Sequence, residues 1–209
     1  MIAELGHFAL ALAAALALVQ AVVPMLGAAR RDAAMMGVAA PAALVQFGVL
    51  GLAFAALMNA YITSDFSVVN VIQNSHSLKP LLYKISGTWG NHEGSLLLWV
   101  SVLALFGALV AIFGRNIPPT LKARTLSVQA LITFGFLIFM LLTSNPFERA
   151  FPAPPEGNDL NPLLQDPGLA FHPPMLYIGY VGLSIAFSFA VAALIEGKVD
   201  AAWARWVRP

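Results

Sequence analysis

The distribution of charge along the chain is the feature that most limits how this sequence can fold. Of its 209 residues, 130 fall into five windows without Asp, Glu, Lys or Arg, namely 5–29, 33–64, 94–114, 125–147 and 167–195. A bilayer core about 30 Å thick is crossed by about 20 apolar residues in an α-helix, and each window reaches that length. With 59% hydrophobic and 10% charged residues, a soluble globular domain and a disordered chain are both excluded.

The windows predict an all-α integral membrane protein with about five transmembrane helices and two long outer loops. We place the helices at about 5–29, 38–62, 95–114, 124–143 and 174–195. The long loops then cover 63–94 and 144–173. We interpret the first window as a retained helix and not a signal peptide, because it follows the acidic Glu4, exceeds the usual apolar length, and precedes its arginines.

Basic residues are distributed unequally between the two sides that these helices define. The side with the long loops holds three, which are Lys79, Lys84 and Arg149. The opposite side holds eight, which are Arg30, Arg31, Arg115, Lys122, Arg124, Lys198, Arg205 and Arg208. The positive-inside rule places the eight-residue side in the cytoplasm. The N-terminus and both long loops are therefore expected outside, and the C-terminus inside.

Several classes of function are disfavoured by what the chain lacks. A net charge of +1 provides no basic surface for nucleic acid. Without cysteine there is no disulfide, thiolate metal site or cysteine nucleophile. The spans hold no charged residue deep within them, so a proton relay has no carrier and a self-contained transporter is disfavoured. We interpret the polar residues inside the spans as interhelical hydrogen-bonding groups, and these are Gln20, Gln46, Asn59 and Gln129.

The second long loop is rich in proline and ends on a histidine. Segment 144–174 contains eight of the fourteen prolines, so we expect neither a helix nor a central strand there. Pro173 favours extended backbone at His172, just before the predicted start of the last helix, with Phe171 beside it. An imidazole held there has the position that an axial ligand of a flat, amphipathic macrocycle needs. A helix-capping or interfacial histidine is the alternative.

The first long loop ends in the string Trp89-Gly90-Asn91-His92-Glu93-Gly94-Ser95. His92 beside Glu93 is compatible with a metal ligand next to a carboxylate, and equally with a polar cap on the third helix. Neutral imidazole suits zinc, copper and haem iron. Zinc is disfavoured because the chain has no HxxxH pair and no cysteine, and no iron–sulfur cluster is expected. The role of a third loop histidine, His76, stays open.

Four long strings carry a resemblance to a known family. They are TWGNHEGSLLLW (88–99), TSNPF (143–147), EGNDLNPLLQDPGLAFHPPMLYIGYVG (156–182) and AAWARWVRP (201–209). In these strings the sequence resembles the CcmF family of cytochrome c maturation proteins, which are membrane haem lyases, and their NrfE-type relatives. The resemblance covers essentially the whole chain. It implies a multi-pass protein of the bacterial inner membrane with both long loops in the periplasm.

The resemblance implies a role in attaching haem to cytochrome c. Such proteins accept b-type haem in transit from a haem chaperone of the CcmE type. They promote thioether formation with the CxxCH motif of apocytochrome c, which CcmH/CcmI-type proteins handle. His172 matches the first of two external histidines of the family, which implies that it is an axial ligand of haem iron. Trp89, His92, Glu93 and Phe171 are expected to support that outer site.

The chain also departs from the family pattern. The family's tryptophan-rich segment, its second external histidine and its membrane-embedded histidine pair have no counterpart in these 209 residues. We therefore expect residues 1–209 to form one membrane domain, the N-terminal part of a longer haem-handling protein, and to be inactive alone. The alternative is a non-enzymatic membrane scaffold whose outer loops dock the haem chaperone or apocytochrome.

Overall fold

Nine α-helices and one short 3₁₀ helix make up the described part of the chain, residues 1–199 and 203–204, in a computed structural model. The long helices are α1 (Ile2–Arg30), α3 (Ala39–Ile62), α6 (His92–Phe113), α7 (Pro119–Thr143), α8 (Pro167–Val181) and α9 (Leu183–Glu196). The short ones are α2 (Ala33–Gly37), α4 (Val69–Asn74), α5 (Leu81–Gly87) and the 3₁₀ helix Pro162–Leu164. The described residues form no strand, only an isolated bridge between Val68 and Arg149.

Five segments are long and apolar enough to cross a membrane, which confirms the predicted fold class. They are Ile2–Arg30, Ala33–Ile62, His92–Phe113, Pro119–Thr143 and Ala170–Glu196. The second span joins α2 to α3, and the fifth joins α8 to α9 across Gly182. The side of the membrane that each loop occupies stays a prediction.

Helix α7 is at the centre of the bundle, because it packs on α1, α3, α6 and α9. Helix α1 packs chiefly on α7 and α3, and α6 also packs on α3. Small side chains such as Ala13 and Ala17, both fully buried, allow the backbones to approach closely. At Gly6, an added Cβ would lie 2.4 Å from the ring of Phe147 and 2.9 Å from Ala56. Phe147, from the TSNPF string, thereby closes one end of the core.

Three of the four polar residues inside the spans bond between helices, as expected. Each donates its side-chain amide nitrogen to a carbonyl of a neighbouring helix, which pairs that donor with the carbonyl oxygen away from water. The bonds are Gln20 Nε2 to Leu126 O at 3.2 Å, Gln46 Nε2 to Ala13 O at 3.4 Å, and Gln129 Nε2 to Leu103 O at 3.1 Å. The Asn59 side chain makes no such bond within the described residues.

Helices α7 and α8 both begin earlier in the chain than predicted. Helix α7 begins at Pro119 and not at 124, because a proline in the first turn loses no helical hydrogen bond. Helix α8 begins at Pro167 and not at 174. The Asp166 carboxylate accepts from the Gly168 amide at 2.8 Å, and the Asp166 carbonyl accepts from the Ala170 amide at 2.9 Å. Asp166 thus caps the helix and Pro167 occupies its first position.

The two long loops fold onto each other at the end of the bundle where α6 begins. We call segments 63–91 and 144–166 the loop layer; it contains α4, α5 and the 3₁₀ helix, so neither loop lacks regular structure. Main-chain hydrogen bonds join its halves. They are Val69 N to Glu148 O at 2.9 Å, Ala150 N to Ser67 O at 3.0 Å, Asn158 N to Ile72 O at 2.7 Å and Asp159 N to Ser75 O at 3.0 Å.

Candidate functional site

The tight turn between α5 and α6 is shaped by Asn91 and Gly94. Asn91 caps α6 by accepting from the Gly94 amide at 2.8 Å. A Cβ added at Gly94 would lie 1.7 Å from the carbonyl oxygen of Thr88, so only glycine fits against this backbone. The cap is Asn91 and not His92, which corrects one of the two interpretations of His92.

A buried polar network holds this turn against α3 and α4. The Asn91 amide donates to the Tyr61 hydroxyl at 2.9 Å, and Tyr61 donates to Asn70 Oδ1 at 2.6 Å. Asn70 Nδ2 lies 2.8 Å from Asn91 Oδ1 and 3.0 Å from Glu93 Oε2. Glu93 is therefore engaged in fixing the turn. Tyr61 and Asn70 were not predicted, because they reach the site from outside the motif.

Trp89 connects the turn to α8. Its ring stacks on Phe54 with centroids 6.3 Å apart, and its Nε1 donates to the carbonyl oxygen of Ala170 at 3.0 Å. In an unbroken helix that carbonyl would accept from residue 174, but Pro174 has no amide hydrogen. The indole supplies the missing donor, which is how proline is tolerated inside a membrane helix.

His172 lies in the second turn of α8, where the structure differs from the extended conformation expected before Pro173. The Asp166 cap starts the helix upstream, and the Trp89 hydrogen bond compensates for one of the two prolines inside it. The imidazole is exposed and makes no hydrogen bond or ion pair within the described residues. Its neighbours Phe171, Met175 and Leu176 are 62%, 67% and 47% exposed, so the imidazole stands on an apolar surface.

Helix α8, α6 and the loop layer together line a cavity of about 390 Å³ that is open to the surface. Its wall includes Trp89, His92 and Pro173, the residue next to His172. Glu93 does not line the cavity and accepts a hydrogen bond from Asn70 instead. The hydroxyls of Ser95 and Tyr177 hydrogen-bond to each other across it. Other wall residues are Ser86, Gly90, Asn91, Leu160 and Leu164.

The remaining loop histidines have partners of their own. His92 is exposed, and its Nε2 lies 3.2 Å from the Ser144 hydroxyl. His76 Nδ1 accepts from the Leu78 amide at 3.1 Å, and its Nε2 lies 3.9 Å from Glu156. Within the described residues no three His, Asp or Glu side chains gather closely enough to hold a metal ion. Of these loop histidines, His172 is therefore the one whose imidazole has no hydrogen-bond or ion-pair partner within the described residues.

Two charged side chains of the loop layer have shifted pKa values. Burial lowers the pKa of Lys79 to about 8, with Lys84 acting in the same direction against the opposing effect of Asp159. The Lys79 ammonium donates to the Asn74 carbonyl at 2.7 Å. A hydrogen bond from the Ser77 hydroxyl holds the pKa of Glu156 at about 2. Lys79 is only 6% exposed, which its sequence context did not indicate.

The fold and the site define a class, a multi-pass helical membrane protein whose polar groups are concentrated in a loop layer over one end of the bundle. The family of cytochrome c assembly proteins matches residues 89–208, and the chain belongs to that family. Cytochromes c carry haem, so membership connects the chain to haem handling in general and to the cytochrome c biogenesis system.

Individual relatives confirm the CcmF-type resemblance. The chain is 66% identical over its whole length to the cytochrome c-type biogenesis protein CycK of Rhizobium meliloti, of which it covers 31%. It is 49% identical to CcmF of Escherichia coli K12 and 42% identical to NrfE of Haemophilus influenzae, covering 32% and 33% of them. The solved structure named cytochrome c haem lyase CcmF matches 99% of the chain with a TM-score of 0.86 and 27% identity. The chain spans about a third of each relative's length.

Proposed function

We propose that this chain is part of a cytochrome c haem lyase and presents one axial ligand, His172, to haem arriving at the outer face of the membrane. The observation that carries the proposal is the exposed imidazole of His172, which lacks a hydrogen-bond partner within the described residues. Neutral imidazole is a common ligand of haem iron. Phe171 and Met175 beside it offer an apolar surface to a porphyrin face.

Haem is the substrate in this account. In thioether formation a cysteine thiol adds across a haem vinyl group, with sulfur bonding to one carbon and the proton going to the other. The addition needs no acid or base of unusual strength, so the protein contributes mainly orientation. His172 would hold the iron while Trp89 and the α6 cap keep α8 in place. We assign the haem as b-type and in transit.

The remaining elements of the proposal follow from the family. The haem donor would be a chaperone of the CcmE type. The acceptor would be the CxxCH motif of apocytochrome c, delivered by CcmH/CcmI-type proteins. The membrane would be the bacterial inner membrane, with the loop layer in the periplasm. A second axial ligand would come from outside these 209 residues.

A scaffold that docks the chaperone or apocytochrome without holding haem is the second candidate. It is favoured by the large apolar side chains on the loop layer, since Leu78, Phe151 and Leu163 are 87%, 99% and 78% exposed. Haem bound through His172 separates the two functions, because a scaffold does not require that imidazole.

The test is covalent haem attachment in bacteria that lack their own haem lyase and express a reporter cytochrome c. Residues 1–209 alone should give no covalent haem on the reporter, as judged by haem staining. Supplying the remaining two-thirds of the Rhizobium meliloti relative as a second polypeptide should restore it, and His172→Ala should abolish the restoration. Covalent haem formed by residues 1–209 alone, or unchanged attachment with His172→Ala, would overturn the proposal.

A further inference from the structure

A second cavity, of about 310 Å³, lies at the opposite end of the bundle from the loop layer. Three spans meet there: α2 and α3 start beside it, α6 ends at it and α7 starts from it. Because α6 is 22 residues long, this cavity is about 33 Å from the Trp89 turn. It is therefore independent of the haem site.

The charged residues that line this cavity, among those that the structure describes, are both positive. They are Arg115 and Lys122, and no carboxylate of the described residues lines it. Arg115 is exposed and forms no ion pair within the described residues. Lys122 donates to the Ala111 carbonyl at 2.9 Å, which leaves two ammonium hydrogens for another acceptor. Two cations that share a cavity without a counter-ion among the described residues favour an anionic ligand.

The acidic groups of the described residues at this end of the bundle, Asp32 and Glu196, are already engaged. The Asp32 carboxylate accepts from the amides of Ala34 and Met35 at 2.9 and 3.1 Å, where it caps α2. Glu196 lies 3.4 Å from Arg124, with which it forms an ion pair. Neither acid lines the cavity.

The rest of the wall is apolar, with Met36, Ala39, Ile117 and Ala123 among its residues. The cavity lies where helices of transmembrane length end, which is the level of lipid headgroups. A ligand that fits both parts of the wall carries a negative charge beside hydrocarbon. A phospholipid has that chemistry, and basic clefts between spans are known to take acidic headgroups.

We propose that the cavity bounded by Arg115, Lys122 and helix α2 binds the phosphate headgroup of an anionic phospholipid. The acyl chains would run along the apolar wall into the bilayer. The bound lipid would anchor the short helix α2 and the α6–α7 turn at the membrane surface.

Native mass spectrometry on protein purified from phosphatidylcholine bilayers with and without phosphatidylglycerol tests the proposal. The wild-type chain should retain one phosphatidylglycerol and unfold at a higher temperature in its presence. R115Q/K122Q should weaken retention about fivefold for each charge removed, because that is the usual contribution of one cation near a membrane surface. R115K/K122R, which keeps both charges, should retain the lipid.

Arg30→Gln is the matched control. It removes one exposed charge from the end of α1, on the same side of the membrane, without touching the cavity wall, and should leave retention unchanged. Equal retention in the wild-type chain and in R115Q/K122Q would overturn the proposal. Stabilisation of the detergent-solubilised protein by inorganic phosphate to the same extent would overturn the assignment to a lipid.

Discussion

The indole nitrogen of Trp89 donates a hydrogen bond of 3.0 Å to the carbonyl oxygen of Ala170, 81 residues further along the chain. Pro174 leaves this carbonyl without its helical donor. Two of the four characteristic strings, one around Trp89 and one around His172, are therefore coupled by one hydrogen bond. Trp89 is a positioning residue for the turns of α8 that carry His172.

Replacing Trp89 by phenylalanine should loosen the start of α8. The substitution keeps an aromatic ring against Phe54 but leaves the buried carbonyl of Ala170 without a donor. We expect a loss of about 1–3 kcal/mol in the free energy of unfolding, the usual cost of an unsatisfied buried acceptor. Amide hydrogen exchange measured by mass spectrometry should rise in α8. Trp99→Phe alters an indole that also packs on α8, at Tyr177 and Tyr180, but donates no hydrogen bond to that helix within the described residues, so exchange in α8 should rise less than in Trp89→Phe.

A double-mutant cycle isolates the role of the missing proline amide. Pro174→Ala restores an N–H at the position that bonds the Ala170 carbonyl in a regular helix. In the Pro174→Ala background, Trp89→Phe should therefore cost much less than in the wild-type chain. The same cost in both backgrounds would show that the indole does not substitute for the proline amide.

Gly94→Ala should disrupt the turn at the start of α6. The new methyl group would lie 1.7 Å from the Thr88 carbonyl, and backbone must move to accept it. We expect a loss of about 3 kcal/mol or more in stability, measured as thermal unfolding in detergent. At Gly135, inside α7, a Cβ meets no atom within 4 Å. Gly135→Ala should be neutral or stabilise by up to about 1 kcal/mol; similar destabilisation by both changes would contradict the account.

The stability of the chain should rise with pH in the alkaline range through Lys79. Its pKa is about 8 in the folded protein against 10.5 for an ordinary lysine, so the unfolded chain binds more protons between these values. Below pH 8 the free-energy cost of burying the Lys79 side chain is present in full, and this cost disappears as the pH approaches 10.5. The melting temperature, followed by tryptophan fluorescence, should rise across this window. Lys79→Met should flatten that response, and an unchanged slope would exclude Lys79 as its source.

Cysteine labelling tests the predicted orientation directly, because the chain has no cysteine of its own. Leu163→Cys places a thiol on the loop layer at a side chain that is 78% exposed. Asn116→Cys places one on the exposed α6–α7 turn at the other end. A membrane-impermeant maleimide should label position 163 in intact spheroplasts and position 116 only after permeabilisation. The reverse pattern would put His172 on the cytoplasmic side and end the haem-presentation proposal.

The spans could be predicted because their physical cause is local. Five charge-free windows give five helices that are long enough for a bilayer, and span residues such as Gln20 and Gln129 bond between helices as their burial requires. The start of α8 was predicted seven residues too late because the pair Pro173-Pro174 also fits the first turn of a helix. The pair Asp166-Pro167 is the stronger signal, since it provides both a capping carboxylate and a proline at the first position.

The site was only partly predictable because its contacts are distant in sequence. His172 could be predicted as a candidate ligand from its place in the sequence. The hydrogen bond between Trp89 and α8 could not, because it depends on the packing of α8 against the loop layer. Asn91 could have been recognised as the α6 cap, since asparagine is a preferred residue there. Nothing local indicated that Lys79 is buried or that Tyr61 and Asn70 complete the network.

Haem titration of the purified protein tests the central claim most directly. The wild-type chain should bind haem with a Soret band typical of iron held by one imidazole, and added imidazole should convert it to the six-coordinate form. His172→Ala should abolish that band, while His76→Ala, at a loop histidine next to Glu156, should preserve it. An unchanged Soret band in His172→Ala would contradict the assignment of His172 as the haem ligand.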